Sequence, residues 1–419
     1  MARPHISRTR SSLKIGGFSA GSLAEKYGTP LYVTDLDRVA SRFDAALRAL
    51  RGKYGDSSIA FAYKSNSTRD ITEALAKRGA GATVVSVAGS ELAGRSGVDP
   101  AKVVFDGPSK SKEELAAAIE AGVGMINAES TQEVLDIEAL CAGLKVRGCR
   151  VGFRVNFGIE AATHAGLATG SREHKFGVAR DEVVKFCKRD AGRLKRVELS
   201  GMHSHVGSQI SDPSVFRKLA GEMASLGAEL SELGTRIREF NFGGGLGIDY
   251  GNGEGELSFE QYAEATAGTF ARRWKGSRPR LVFELGRSIV ADSTVFLTRV
   301  NYVKAAGAVE WALVDAGMND FLRPALYGAR HEIVPAKVAD GRRSAAAYDI
   351  GGPVCETTDT FGSGRRLGVK LRQGDLLAIL DTGAYGISMA SHYNMRPTPA
   401  VVVVSGGEER LAQASEPFR

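Results

Sequence analysis

The chain has 419 residues, 43% of them hydrophobic, so it can bury a large core and is long enough for two domains. No run of about 18 uncharged apolar residues occurs, and the basic start MARPHISRTRSS lacks the apolar segment of a secretory signal. We therefore expect a cytoplasmic protein that does not bind to a membrane. The net charge of +7 comes from 55 Lys and Arg residues dispersed among 48 acidic ones, which argues against a nucleic-acid partner.

From residue 58 to residue 290, short β-branched or apolar runs alternate with segments of helical period. The segments SKEELAAAIEAG and VFRKLAGEMASLGAELSELG, for instance, repeat apolar positions three and four residues apart. Eight strand and helix units in succession predict an α/β fold, the (β/α)8 TIM barrel. Its strands are expected in the runs SIAFAYK, ATVVSV, VVFDG, GMINAE, VGFRVN, LSGMHSHV, EFNFGGG and LVFELGR.

After residue 293 the pattern changes to β-rich runs with Gly and Pro turns and little helical period. These runs predict a second, mostly β domain. They are STVFLTRVNYVKAAG, WALVDAG, DLLAILDTGAYG and AVVVV.

The catalytic groups of such a barrel gather where its strands end. In this sequence the predicted strand ends carry an amine, an amide, an imidazole, a glycine run and a carboxylate. These residues are Lys64, Asn156, His205, Gly243 to Gly245 and Glu284.

Lys64 ends the first predicted barrel strand in the segment FAYKSNS. A partly desolvated lysine becomes a nucleophilic amine, the group that forms a Schiff base with a carbonyl or with pyridoxal phosphate. The alternative is an ordinary surface lysine.

The segment NFGGGLG adds glycines after a strand, where backbone N–H groups can approach a phosphate. A tight turn without a ligand is the alternative there, because no complete nucleotide-binding motif is present.

The segment GMHSHVGSQ places His203 and His205 two residues apart on one predicted strand, as a metal-binding pair would be. The other predicted strand ends offer too few further ligands, so we expect no metal. The remaining interpretation is a core histidine at position 203 and a flat ring stacked on a planar cofactor at position 205. Ser208 would then donate its hydroxyl to a phosphate.

The segment FELGRS ends the eighth strand with Glu284 and Arg287. A local ion pair at the barrel rim is one interpretation. The other is a carboxylate that keeps the ring nitrogen of pyridoxal phosphate protonated, beside an arginine that binds a phosphate or a carboxylate.

The second domain carries a thiol beside an acid, Cys355 and Glu356, and an arginine four residues before a tyrosine, Arg323 and Tyr327. A cysteine near a carbanionic centre can act as a general acid. The other three could hold the carboxylate and the distant ammonium group of an amino acid. The remaining cysteines show neither a C-x-x-C pair nor zinc-ligand spacing, so no disulfide framework is expected.

In this order, the residues resemble the fold-type III pyridoxal phosphate decarboxylases, and most closely the branch that acts on meso-2,6-diaminopimelate. The resemblance covers nearly the whole chain, from YGTPLYVTDLDRV to GAYGISMASHYNMRP. The segments nearest to that branch are THAGLATGSREHKFGV, HSHVGSQI, DAGMNDFLRPALYGARHEI and GGPVCE. The resemblance implies a TIM barrel of the alanine-racemase type over residues 40–292, and a β-barrel-like domain formed by residues 1–39 and 293–419.

The resemblance also implies a role for each candidate residue. Lys64, Cys355 and His205 would be catalytic, with Lys64 as the Schiff-base lysine and Cys355 as the proton donor. The substrate, a dicarboxylic diamino acid, would be bound by Arg287, Arg323, Tyr327, Glu356 and Tyr385. Pyridoxal 5'-phosphate would be bound by Lys64, His205, Ser208, Gly243, Gly244, Gly245, Glu284, Gly286, Arg287 and Tyr385.

The implied reaction is loss of CO2 from diaminopimelate to leave L-lysine, in an obligate homodimer whose Cys355 and Glu356 reach the partner's site. A decarboxylase of another amino acid, namely ornithine, lysine, carboxynorspermidine or a carrier-bound amino acid, is the main alternative. An amino-acid racemase of the same fold, a non-catalytic pyridoxal phosphate carrier and a metal-dependent barrel hydrolase are more distant ones.

Overall fold

The computed structural model describes residues 3–9, 12–160, 174–251, 253, 255–338 and 342–418. The strands within these ranges are β1 Ile6–Arg8, β2 Leu13–Ile15, β3 Phe18–Ser19, β4 Leu31–Asp35, β5 Ser57–Ala62, β6 Gly81–Val84, β7 Val103–Phe105, β8 Met125–Ala128, β9 Cys149–Asn156, β10 Val178–Ala179, β11 Val197–His203, β12 Glu239–Asn241, β13 Arg280–Phe283, β14 Thr294–Ala306, β15 Val309–Val314, β16 Ile333–Lys337, β17 Ala347–Gly351, β18 Thr360–Arg366, β19 Leu376–Ile379, β20 Ala400–Ser405 and β21 Glu408–Gln413.

The α-helices are α1 Ala20–Tyr27, α2 Leu36–Lys53, α3 Arg69–Ala76, α4 Val87–Arg95, α5 Lys112–Glu120, α6 Thr131–Gly143, α7 Arg180–Arg189, α8 Pro213–Glu232, α9 Phe259–Ala263, α10 Thr269–Arg273, α11 Arg287–Val290 and α12 Arg323–Tyr327. Local sequence explains where several of them begin. At α5, the Ser111 side chain accepts from the Glu114 backbone N–H and the Glu114 side chain accepts from Ser111, which completes a capping box. At α8, Asp212 is the N-cap and Pro213 follows it at the first helical position. Among the described residues, no helix is both long and apolar enough to cross a bilayer.

Eight parallel strands close into a barrel in the order β5, β6, β7, β8, β9, β11, β12, β13, with β13 pairing back to β5. Each of the eight predicted runs overlaps one of these strands. The helices between the strands pack their apolar residues against the outside of the barrel, so both faces of the sheet are buried in one large core. All eight strands run in the same direction, and their carboxyl ends therefore meet at one end of the barrel.

A second sheet of mixed strand direction has the order β18, β17, β15, β14, β4, β20, β21, with β19 paired to β14 and β16 paired to β19. Strand β4 lies in the middle of this sheet, antiparallel to β14 and parallel to β20. Its side chains alternate, so Leu31 and Val33 join one apolar cluster and Tyr32 joins the other. The barrel and the second β-rich sheet confirm the predicted fold class.

The second sheet delivers a loop to the carboxyl end of the barrel. The side-chain amide of Asn66 donates to the carbonyl of Gly383, and the backbone N–H of Tyr385 donates to the carbonyl of Ser65 over 2.8 Å. Residues from both halves of the chain therefore face one another at the ends of the barrel strands.

Candidate active site

Most of the predicted site residues line one cleft at the carboxyl ends of the barrel strands. Lys64 lies in the 3-10 turn Tyr63–Ser65 that follows β5, and its side chain is exposed. The hydroxyl of Ser65 fixes this turn because it donates to the carbonyl of Ala62 over 2.8 Å. The predicted residues that line the cleft are Lys64, His205, Ser208, Gly244, Gly245, Glu284, Gly286, Arg287 and Tyr385.

The glycine run after β12 presses its backbone against its neighbours. A Cβ atom at Gly244 would overlap the carbonyl oxygen of Glu284, and one at Gly245 would lie 2.6 Å from the carbonyl oxygen of Gly207. Gly243 and Gly245 also have positive φ angles, +61° and +100°, which residues with a Cβ adopt at a cost. Glycine is therefore required in this loop, and its backbone forms one wall of the cleft.

His205 follows the end of β11 and has a neutral ring. The backbone N–H of Gly244 donates to its Nδ1 atom over 3.1 Å, so the ring proton is on Nε2. Burial, together with the nearby positive charge of Lys64, lowers the pKa of His205 well below its ordinary value. The expectation that both histidines lie on one strand is wrong, because β11 ends at His203 and the backbone leaves the sheet there.

His203 is buried between two carboxylates. Its Nδ1 atom is 3.9 Å from Asp106 Oδ1, and its Nε2 atom is 3.5 Å from Glu284 Oε2. Burial lowers the pKa of His203, but the negative charges of Glu284 and Asp106 outweigh burial and raise it above the ordinary value. The two acids therefore favour the protonated ring by their charge, although neither ring nitrogen makes a hydrogen bond among the described residues.

The metal alternative required His203 and His205 to face one ion. In the described ranges, the group whose ligand atoms lie within 4.8 Å of one another consists of Asp106, His203 and Glu284, without His205. Since each nitrogen of His203 faces a different carboxylate, the geometry favours an ion bridge over a shared metal ligand.

Glu284 follows β13 and is buried at the base of the cleft. Its Oε1 atom accepts a hydrogen bond from Asn241 Nδ2 over 2.7 Å. Burial raises the pKa of Glu284, yet the positive charge of His203 and the hydrogen bond from Asn241 lower it overall. The cleft thus has an ionised carboxylate at its base.

Arg287 is buried beside the cleft and contacts three predicted or adjacent side chains. Its Nη2 atom donates to the hydroxyl oxygen of Ser208 over 2.9 Å, and its Nη1 atom donates to the hydroxyl oxygen of Tyr250 over 2.7 Å. Its guanidinium carbon lies 4.8 Å from the ring centre of Tyr385. Because Ser208 accepts from Arg287, its own hydroxyl hydrogen can be donated to a ligand.

A second buried guanidinium, that of Arg323, also lies against the ring of Tyr250. Its guanidinium carbon is 4.6 Å from the Tyr250 ring centre, and its Nη1 atom is 2.7 Å from His331 Nε2. Nδ1 of His331 donates to the carbonyl of Leu380 over 2.9 Å, so Nε2 accepts from the arginine. Burial and the positive charge of Arg287 lower the pKa of Arg323.

Neither guanidinium has a carboxylate within ion-pair distance among the described residues. Arg287 and Arg323 are 5% and 3% exposed, and the Nε atom of each is buried without a hydrogen-bond partner in the same ranges. Two buried positive charges without a counterion favour an anionic ligand.

Tyr385 and Tyr327 are half-buried and lie near these arginines. Tyr385 has a positive φ of +56°, and the guanidinium carbon of Arg287 lies over its ring. Tyr327 ends α12, the short helix that Arg323 begins. Both predicted substrate-binding tyrosines therefore accompany the arginine pair.

Cys355 and Glu356 are exposed and do not line the cleft of their own chain. Glu356 accepts a hydrogen bond from the hydroxyl of Tyr393. Of the segment THAGLATGSREHKFGV, residues 163–173 lie outside the described ranges.

Sequence reasoning missed Tyr250, His331, Asp106 and Asn241. Tyr250 begins the glycine-rich stretch YGNGEGE, whose composition is typical of an exposed loop, but the tyrosine itself is 4% exposed. His331 stands eight residues after Arg323 in the segment DAGMNDFLRPALYGARHEI, and this nearness in sequence to Arg323 was the one indication of its role. Asp106 and Asn241 have no local signal, since only the closed barrel brings them together.

Comparison with known proteins gives concordant matches. Residues 36–291 match the family described as "Pyridoxal-dependent decarboxylase, pyridoxal binding domain". The chain is 35% identical to a diaminopimelate decarboxylase of Aquifex aeolicus, over 99% of this chain and 96% of that protein. It is similar to the crystal structure of the M. jannaschii diaminopimelate decarboxylase with L-lysine, at 35% identity and a TM-score of 0.92, covering 99% and 96% of the two chains. A lysine/ornithine decarboxylase of Vibrio vulnificus, at 19% identity and a TM-score of 0.78 over 92% of this chain and 96% of that chain, shares the fold.

Proposed function

The chain belongs to the pyridoxal-dependent decarboxylase family, and we propose that it removes CO2 from meso-2,6-diaminopimelate to leave L-lysine, the last step of lysine synthesis. The observation that carries the substrate class is the buried pair Arg287 and Arg323, which has no carboxylate partner among the described residues. Diaminopimelate retains a second carboxylate after the first is lost, and two guanidinium groups suit its recognition.

The cleft fits pyridoxal phosphate. It offers an amine at Lys64, a flat neutral ring at His205, a hydroxyl at Ser208, a close glycine backbone and an ionised acid at Glu284. When bound, this cofactor supplies an electron sink for the electron pair that CO2 leaves behind. Lys64 would hold the cofactor covalently, Ser208 with the glycine run would hold its phosphate, and Glu284 would keep a proton on its ring nitrogen.

The remaining residues bind and orient the substrate. Arg287, Arg323, Tyr327 and Tyr385 would fix its carboxylates, so that the bond to be broken is held in one orientation. Glu356 would bind the distant ammonium group, which selects a diamino acid. The Sγ atom of Cys355 would return a proton to the carbon that has lost CO2.

Cys355 and Glu356 would come from a partner subunit, because both are exposed in their own chain and lie outside its cleft. Mixing two inactive proteins, Lys64→Ala and Cys355→Ala, tests this. If the dimer shares its sites, subunit exchange rebuilds an intact site in half of the mixed dimers' positions, and activity returns to about a quarter of the wild-type value. No recovery after demonstrated subunit exchange would place Cys355 in the site of its own chain.

The decisive experiment measures CO2 release and product identity with meso-diaminopimelate, beside L-ornithine, L-lysine and carboxynorspermidine. L-lysine formed from diaminopimelate alone supports the proposal, whereas turnover of another amine would assign the chain to a sister decarboxylase. A racemase would change the substrate without releasing CO2, a pyridoxal phosphate carrier would bind cofactor without turnover, and a hydrolase would require a metal.

We also propose the division of the chain into residues 40–292 and residues 1–39 with 293–419. The position of β4 within the second sheet supports it. The cytoplasmic location stays a prediction.

A further inference from the structure

Five buried polar side chains, Glu284 among them, form a row at the carboxyl ends of the barrel strands. At one end Asn127 Nδ2 donates to Asp106 Oδ1 over 2.8 Å, and at the other Asn241 Nδ2 donates to Glu284 Oε1. The ring of His203 lies between the two acids. All five side chains are at most 5% exposed. They lie in or directly after five different strands, β7, β8, β11, β12 and β13, so the barrel itself fixes their spacing.

The chemistry of the row determines its charge. An amide N–H group at each end stabilises an ionised acid, and a buried imidazole with a carboxylate within 4 Å of each nitrogen is favoured by their charge in its protonated form. Two carboxylates and one imidazolium leave a net charge of −1. Arg154, the cation that also faces His203, already pairs with Glu129 over 2.7 Å. Lys64 is the other cation whose charge acts on Glu284, and the row therefore favours a positive charge at the open side of this carboxylate.

We propose that His203 is a positioning residue which, backed by Asp106, keeps Glu284 ionised and oriented so that the bound cofactor retains a proton on its ring nitrogen. This inference rests on the proposed function, because it takes pyridoxal phosphate as the ligand of the cleft. The raised pKa of His203 and the lowered pKa of Glu284 agree with it.

The row explains a feature that simple core packing leaves without a reason. A neutral core histidine usually donates from one nitrogen and accepts at the other, as His331 does in this protein. His203 has an acid at each nitrogen instead. Within one chain, the surroundings of His331 favour a neutral ring and those of His203 favour a charged one.

The test uses holoenzyme loaded with pyridoxal phosphate that carries 15N in its ring, and two variants, His203→Gln and Asp106→Asn. Asp106→Asn disturbs the packing less, since it removes one charge while the side-chain volume stays nearly the same, and it does so away from the cofactor. His392→Gln serves as the control, because His392 lies in the second domain and bonds to the backbone of Arg396. The 15N shift reports the protonation of the ring nitrogen without any turnover, and thermal unfolding checks that each variant folds.

We expect a protonated ring nitrogen in the wild type and the control at neutral pH. In both variants the proton should be lost at a lower pH, and kcat at pH 7 should fall about tenfold for each unit by which that pH drops below 7, with KM altered less. If the nitrogen of Asp106→Asn and of every folded His203→Gln sample stays protonated with kcat unchanged, the proposal is wrong. A stoichiometric metal in the wild type that disappears in His203→Gln would also overturn it, in favour of a metal site. The 15N shift is measured without substrate. A wild type that does not decarboxylate diaminopimelate would therefore contradict the proposed function, while the inference about His203 would still be tested by the shift.

Discussion

His331 holds Arg323 by accepting a hydrogen bond at Nε2 over 2.7 Å, while its Nδ1 atom donates to the carbonyl of Leu380. The second bond fixes the tautomer, and the rings of Tyr250 and Phe321, each with its centre 4.7 Å away, fix the plane. A neutral imidazole satisfies one guanidinium N–H without neutralising its charge. Arg323 is therefore oriented while its charge stays available to an anionic ligand.

Replacing His331 with leucine should raise the KM for diaminopimelate about tenfold to a hundredfold, because an unpaired buried donor costs about 1–3 kcal/mol. The kcat should change less, since the proposed role of Arg323 is to bind a carboxylate of the substrate. Steady-state kinetics measure both constants. His331→Gln keeps an acceptor and should recover part of the affinity. Equal effects of both substitutions on KM would show that ring packing, and not the hydrogen bond, positions the arginine.

Gly244→Ala should abolish cofactor retention, because the added Cβ atom would overlap the carbonyl oxygen of Glu284 and displace the loop. The measurement is the visible absorbance of the purified protein after gel filtration. Gly52→Ala is the matched control, since that glycine lies in helix α2 with nothing within 4 Å of the added atom. The control should keep its colour and gain about 0.5–1 kcal/mol in free energy of unfolding. A coloured, active Gly244→Ala protein would contradict the role of the loop.

Lys64→Ala should remove both the visible absorbance and the turnover of the holoenzyme, because no other amine is predicted to bind the cofactor covalently. The exposed Lys77, just after helix α3, provides the control substitution Lys77→Ala. The visible spectra and the CO2 release of the two variants show whether Lys64 is the residue that binds the cofactor. Retained colour and activity in Lys64→Ala would move the Schiff base to another lysine.

Acid should destabilise the protein in part through His5. Burial lowers the pKa of His5 to about 4, with Asp292 opposing and the charges of Arg38 and Arg3 adding to the effect. The unfolded chain binds this proton near pH 6.5 and the folded chain does not, so stability is lost as pH falls from 6.5 towards 4. The Tm of the wild type should therefore fall more between pH 7 and pH 5 than the Tm of His5→Gln. Parallel curves would mean that His5 takes up its proton in the folded state.

The barrel was predictable because its signal is local. Each strand is a short apolar run and each helix repeats at three and four residues, so both periods can be read within a dozen residues. The ends were less accurate: the run LVFELGR suggested a strand through Glu284, whereas β13 ends at Phe283. The backbone leaves the sheet where the polar residues of the cleft begin. Periodicity does not reveal the partner of β4, since its pairing with β14 and β20 is long-range.

The candidate site was predictable where its residues stand in motifs. Glu284 and Arg287 share one segment, and the glycine run stands by itself after a strand. Tyr250 and Asp106 were missed because their partners lie far along the chain, and neither has a neighbour in sequence that indicates its contact. The charge of His203 likewise depends on acids from two other strands.

The central position of β4 has a consequence for synthesis. This strand leaves the ribosome more than 250 residues before β14, the first of its two neighbours. Its hydrogen-bonding edges stay open while the barrel is being made, and an open apolar edge favours association with other chains. The centre of the sheet therefore cannot form before β20 has been synthesised, and a nascent chain that stalls after the barrel exposes β4 without either neighbour.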